Sequence, residues 1–89
     1  MSDNLPLIAE QGDEHIDLSG YACPMPLLKI KQRLSTLKKG SVISVKTTDQ
    51  GSVRDFNSYL SLSKHALVAQ KLNEEDGEYF FLIRCGGPS

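Results

Sequence analysis

The chain has 89 residues, a formal net charge of −1, 39% hydrophobic and 24% charged residues. This composition excludes wholesale disorder, and the charge lacks the basic excess typical of a nucleic-acid-binding domain. At this length one thin core can form, so any reactive apparatus must be small. No apolar run approaches the ~18–20 residues that span a bilayer. Residues 1–11 carry acids and a proline where a secretory signal would be basic and then apolar, so a cytoplasmic, membrane-free protein is expected. Two cysteines, Cys23 and Cys85, are too few and too far apart for a disulfide scaffold.

Residues 1–12 are polar, hold Pro6 and show no sustained period; a flexible tail is expected there, with a single domain over 13–87. His15-Ile16-Asp17-Leu18 alternates and predicts a short strand. Ser19-Gly20-Tyr21-Ala22 predicts a turn into Cys23-Pro24-Met25-Pro26. Beyond it Leu27, Ile30, Leu34 and Leu37 recur at helical spacing, with Lys29, Lys31, Arg33 and Lys38 between them. An amphipathic helix over about 24–38, closing at Lys38-Lys39-Gly40, is expected. Val42, Ile43 and Val45 mark a strand over 41–47. A second helix over 52–64 is predicted by Val53, Phe56, Tyr59, Leu60 and Ser63, with Ser52 as its cap and Asp55 closing a capping box. Strands over 66–72 and 78–84 are joined by the acidic loop Asn73-Glu74-Glu75-Asp76-Gly77.

The order is β-α-β-α-β-β. Each helix has one apolar face, which predicts an α/β two-layer sandwich: a four-stranded mixed sheet with both helices on one side. Leu27, Ile30, Leu34, Val53, Phe56 and Leu60 are the expected core between the layers.

Cys23 is the informative residue. Proline is tolerated in a first helical turn, where its missing N–H would have no partner. With Cys23 as N-cap, or within a residue of it, Pro24 and Pro26 leave the Met25 and Leu27 N–H groups pointing back at the sulfur. Together with the helix dipole they would stabilise a thiolate and lower its pKa. The competing reading is a small buried apolar side chain. A thioredoxin-type dithiol needs a second cysteine at position 26, which is proline. A single thiolate can still accept the outer sulfur of another protein's persulfide and surrender it to the next thiol, with no cofactor.

The run Asp17-Leu18-Ser19-Gly20-Tyr21-Ala22-Cys23-Pro24-Met25-Pro26 resembles the Cys-Pro-x-Pro signature of the TusA/SirA-like sulfur-carrier family. The likeness continues through Lys38-Lys39-Gly40, Thr48-Asp49, Arg54-Asp55, His65-Ala66-Leu67-Val68-Ala69 and Leu82-Ile83-Arg84, covering residues 15–87. It implies a small cytoplasmic sulfurtransferase with Cys23 as the sulfur-bearing residue, supported at the helix start by Pro24, Met25, Pro26 and Leu27. It also implies a cysteine desulfurase as donor and a relay protein or thiolation enzyme as acceptor. For the best-known member that relay ends in 2-thiouridine of tRNA, so contact with tRNA would be indirect at most, and the chain is expected to be a monomer. Tyr21-Ala22, Met25, Asn57 and Cys85 depart from the tRNA-thiolation pattern, which leaves the acceptor open among tRNA thiolation, sulfur oxidation and selenium metabolism.

Lys29, Lys31, Arg33, Lys38 and Lys39 give the first helix a basic outer surface, either an ordinary solvated face or a docking surface for an acidic partner or for tRNA phosphates. Lys29 and Arg33, with Asp49, Arg54 and Asp55, are the candidate docking residues. His15, His65, Cys23 and Cys85 lack the close pairing of zinc ligands, so no metal site is expected. Cys85-Gly86-Gly87 is similar to the diglycine of thiocarboxylate carriers, but Pro88-Ser89 follow and processing would be needed. Two other functions stay open: a non-catalytic adaptor in which Cys23 merely packs, and a redox sensor pairing Cys23 with Cys85, provided that the two lie within disulfide reach.

Overall fold

A computed structural model describes residues 12–87. Its elements are β1 (Glu14–Leu18), α1 (Met25–Leu34), β2 (Val42–Thr47), α2 (Gly51–Leu62), β3 (Ala66–Asn73) and β4 (Glu78–Arg84). The tail expected over residues 1–12 lies, apart from Gly12, outside the described residues. Gly12 sits so close to β2 that a β-carbon there would come 2.7 Å from the Ser44 nitrogen.

The strand order is β1-β2-β4-β3, with β1 parallel to β2 and β4 antiparallel to both β2 and β3. The sheet is therefore mixed, as expected. Alternation places Ile16 beside Val45, Val45 beside Phe81 and Ile43 beside Ile83 on one face. Ile30 and Leu34 of α1 and Phe56 and Leu60 of α2 join these residues in one buried cluster, so both helices cover that face. Leu27 and Val53 are half-buried at its margin. Phe56 and Phe81 meet with ring centroids 4.6 Å apart and planes tilted by 49°, a geometry worth ~0.5–1.5 kcal/mol beyond area burial. A bulge at Val68 shifts the β3 register. Gln70 thereby pairs with Phe81 on the helix side, where its side-chain oxygen accepts a hydrogen bond from Asn57 of α2 (3.0 Å).

Two local expectations are corrected. The first helix stops at Leu34 rather than near Lys38, because Ser35 and Thr36 turn their hydroxyls onto the Gln32 and Arg33 carbonyls (2.7 and 2.9 Å) and so compete with the helical ladder. Leu37 packs against the core from the turn beyond. The N-cap of α1 is Pro24, one residue beyond Cys23 and inside the expected range. For α2 the cap is Gln50, with no side-chain capping bond. Ser52, buried in the first turn, hydrogen-bonds Thr47 (2.6 Å) and donates to the Asp49 carbonyl (2.7 Å), so Asp55 is free of the capping box.

Candidate functional site

Because β1 and β2 are parallel neighbours, the segments that leave their C-terminal ends emerge side by side. One carries Cys23 into α1; the other carries Asp49 and Gly51 into α2. Gly20 N–H donates to the Thr48 hydroxyl (2.8 Å) and ties the two together. Cys23 N–H donates to Asp49 Oδ2 (3.2 Å). One turn into α2, Asp55 Oδ2 accepts the Cys23 thiol hydrogen at 2.6 Å. A Cβ at position 51 would lie 3.3 Å from Cys23 Cβ and 3.6 Å from Sγ, so the absence of a side chain there lets the cysteine lie against the start of α2.

Cys23 is exposed, which removes the reading of it as a small core residue. Its expected acidity is also corrected. The hydrogen bond to Asp55 raises the thiol pKa above its ordinary value, the Asp55 and Asp49 charges adding to the effect and Arg54 opposing it. The donors expected to favour the thiolate are not all available, since Met25 N–H is spent on the Ala22 carbonyl (2.9 Å). Pro24, Met25 and Pro26 do form the helix start, as cap and first two residues; Pro26 is buried, and Leu27 half-buried behind it. The peptide between Cys23 and Pro24 is cis.

The residues proposed for docking divide into two groups. Asp49 and Asp55 face Cys23 itself, and Arg54 projects beside them with its side chain 83% exposed. Arg33 is held by Glu14 through two hydrogen bonds (2.7 and 2.5 Å) that pin α1 to β1, and its cation holds the Glu14 carboxyl below its usual pKa. It is a tie within the fold rather than a free cation. Lys29 lies over the Tyr21 ring (4.8 Å to the centroid) and Lys31 over Tyr59 (5.3 Å). Tyr21, Met25 and Leu28 are 42%, 40% and 45% exposed, an apolar collar on the approach to the cysteine.

Cys85 is buried, its thiol directed at the Leu34 and Leu37 carbonyls (3.4 and 3.6 Å) beyond the C-terminal end of α1. Cys23 precedes the N-terminal end. The ten residues of α1 amount to about 15 Å at 1.5 Å per residue, well outside the ~4.4–6.8 Å between Cα atoms that a disulfide requires. The redox pairing of Cys23 with Cys85 is therefore corrected. Gly86 and Gly87 are docked rather than presented: Gly86 N–H donates to His65 Nδ1 (2.9 Å), and Gly87 is buried with its N–H on Cys85 Sγ (3.4 Å). His15 bonds Ser44 on the helix-free face, beside a depression of about 170 Å³ lined also by Asp17, Lys46 and Phe80, away from the cysteine.

Gly51 and Thr48 are the contributors that pattern reading missed: neither was a candidate site residue. The available signal was a glycine opening a helix two residues after an aspartate.

An exposed thiol on a small two-layer scaffold, open to a second macromolecule and flanked by acids from the neighbouring strand end, is the arrangement of a group-carrier protein. The family model for Sulfurtransferase TusA matches residues 14–85, and the chain belongs to that family. It is 39% identical over 72 residues to the sulfur carrier protein TusA of Allochromatium vinosum, covering 81% of this chain and 92% of that protein. It is 31% identical over 71 residues to a putative sulfur carrier protein of Neisseria meningitidis, covering 80% and 93%. A putative sulfur carrier protein of Bacillus subtilis, YrkF, is 35% identical over 72 residues; the match covers 81% of this chain but 38% of that longer protein. The chain is accordingly a sulfur carrier of the TusA type.

Proposed function

We propose that the chain is a sulfurtransferase that carries sulfur as a persulfide on Cys23, taking it from a cysteine desulfurase and passing it to a relay protein or thiolation enzyme. The observation that carries this reading is the exposure of Cys23 at the β1–α1 junction within Cys23-Pro24-Met25-Pro26. In the uptake step the Cys23 sulfur, as thiolate, attacks the outer sulfur of the donor's persulfide. A new S–S bond forms, the donor's S–S bond breaks, and the donor's inner sulfur departs as a thiolate. Delivery is the same exchange with Cys23 as leaving group, so no resident cofactor is required.

Docking is proposed at the collar of Tyr21, Met25 and Leu28, with Lys29 and Lys31 attracting an acidic partner and Asp49, Arg54 and Asp55 meeting it beside the sulfur. The chain acts as a monomer in a reducing cytoplasm, and synthesis of 2-thiouridine in tRNA is one destination for the sulfur. The test is incubation with a cysteine desulfurase and cysteine, followed by intact mass and peptide mapping. The expected result is one added sulfur, on the peptide containing Cys23. An unmodified Cys23 under conditions where the desulfurase forms its own persulfide would overturn the reading and favour a non-catalytic adaptor.

A further inference from the structure

The carboxylate of Asp55 does more than line the site. It accepts the hydrogen of the Cys23 thiol directly at 2.6 Å, from a position one turn into α2. Asp49 holds the backbone N–H of the same cysteine. The charged groups acting on the sulfur are thus Asp55 and Asp49, with Arg54 in partial opposition. A thiolate in this position would lose its hydrogen bond and face two anions, so the environment favours the neutral form.

We propose that Asp55 is a latch on the empty carrier: its carboxylate keeps Cys23 as a hydrogen-bonded thiol turned onto α2, sluggish towards stray electrophiles until a partner displaces or neutralises the acid. The role deepens the persulfide reading given above, but the latch on the free thiol stands on the contact itself. In sulfur uptake the latch hydrogen leaves Cys23 as Sγ bonds to the donor's outer sulfur. The departing donor thiolate takes that proton, and the exchange is balanced with no net oxidation. The product, Cys23–S–SH, bears no hydrogen on Sγ, so the bond to Asp55 Oδ2 ends when the carrier is loaded. Asp55 is a positioning residue that distinguishes the empty sulfur from the loaded one.

The experiment follows iodoacetamide alkylation of the full chain across pH for wild type, Asp55→Asn and Asp55→Ala, with the modified cysteine identified by peptide mapping. Removing the charge should move the midpoint of the profile down. Below both midpoints each pH unit of that movement would raise the thiolate fraction ~10-fold, while intrinsic nucleophilicity falls with pKa (Brønsted slope ~0.4–0.5), so the net gain near neutral pH is roughly threefold per pH unit moved. Superimposable profiles, or an upward shift in both variants, would overturn the latch. So would a wild-type midpoint at or below the ordinary thiol value, a measurement that needs no variant to fold. In a second arm glutathione persulfide replaces iodoacetamide and sulfur addition is read by mass. Faster loading of Asp55→Asn near neutral pH is expected. Failure of wild type and variant alike to take sulfur, with the alkylation shift present, would overturn the persulfide reading and leave the latch standing.

Discussion

Gly51 and Cys23 are in contact range across the junction of two parallel strands: a β-carbon on Gly51 would sit 3.3 Å from the cysteine Cβ and 2.9 Å from Asp49 Oδ2. A contact under 3.0 Å forces one group to move, and Asp49 is also the acceptor of the Cys23 N–H. Gly51→Ala should therefore push the Asp49 carboxylate off the cysteine backbone while leaving the helices intact, alanine being the better helix former. Losing that hold lets the cysteine shift by a few tenths of an ångström; misplacing a reacting atom costs up to ~100-fold per 1 Å, so we expect sulfur uptake to slow severalfold despite the opposing gain in thiolate as the Asp49 charge recedes. Uptake at the wild-type rate, with circular dichroism unchanged, would show that the close approach is dispensable.

The two cysteines should behave oppositely. Cys23→Ser should abolish sulfur loading, since a hydroxyl cannot form the persulfide, with denaturation unchanged. Cys85→Ser should retain loading, because its thiol is buried at the far end of α1. It should lower stability by about 1–2 kcal/mol, the scale of an imperfectly satisfied buried hydroxyl. Mass spectrometry after exposure to desulfurase and cysteine, with urea denaturation alongside, checks both. Loss of loading in Cys85→Ser without unfolding would return the second thiol to the mechanism.

His65 makes stability depend on pH. The ring is buried at the start of β3 and accepts the Gly86 N–H on Nδ1. Burial, with Lys64 adding to it, holds its pKa below the ordinary 6.5. The unfolded chain therefore binds the proton more readily than the folded one. The contribution of His65 is full above pH 6.5, declines as pH falls below that value, and levels off beneath the folded-state pKa. In His65→Asn the side-chain oxygen can take over as acceptor for Gly86, and the titration disappears. The denaturation midpoint of the variant should be flatter than wild type between pH 7 and 5; an equal slope would assign the effect to other groups.

Basic docking can be tested at Lys29 and Lys31, which lie over the Tyr21 and Tyr59 rings. Arg33 is the wrong choice because Glu14 holds it, and reversing it would loosen α1 from β1. Lys29→Glu with Lys31→Glu should slow association with an acidic desulfurase and weaken the dependence of that rate on salt. Stopped-flow rates at two ionic strengths are the measurement. Rates unaffected by the reversal would make this an ordinary solvated helix face.

What the sequence alone determined is what local periodicity and backbone chemistry can report. Ile30 with Leu34, and Phe56 with Leu60, announce two helices with one buried face each, because 3.6-residue spacing is visible in any window. The alternation around Ile43 and Val45 announces a strand for the same reason. Pro24 and Pro26 mark a helix start at Cys23 because their missing N–H groups are tolerated there. The family signature is written in the same segment. Only the tertiary structure decided what surrounds the sulfur. Asp49 and Asp55 are 26 and 32 residues from Cys23, and they reach it because β1 and β2 pair in parallel and open at the same end. That pairing turned an expected thiolate into a carboxylate-held thiol, since one charge at hydrogen-bonding distance outweighs a first turn whose Met25 N–H is already spent on Ala22. The fates of Arg33 and Cys85 were set the same way, by Glu14 on β1 and by the end of α1. Spacing along the chain shows which residues share a face; it carries no record of which charge will face them from another element.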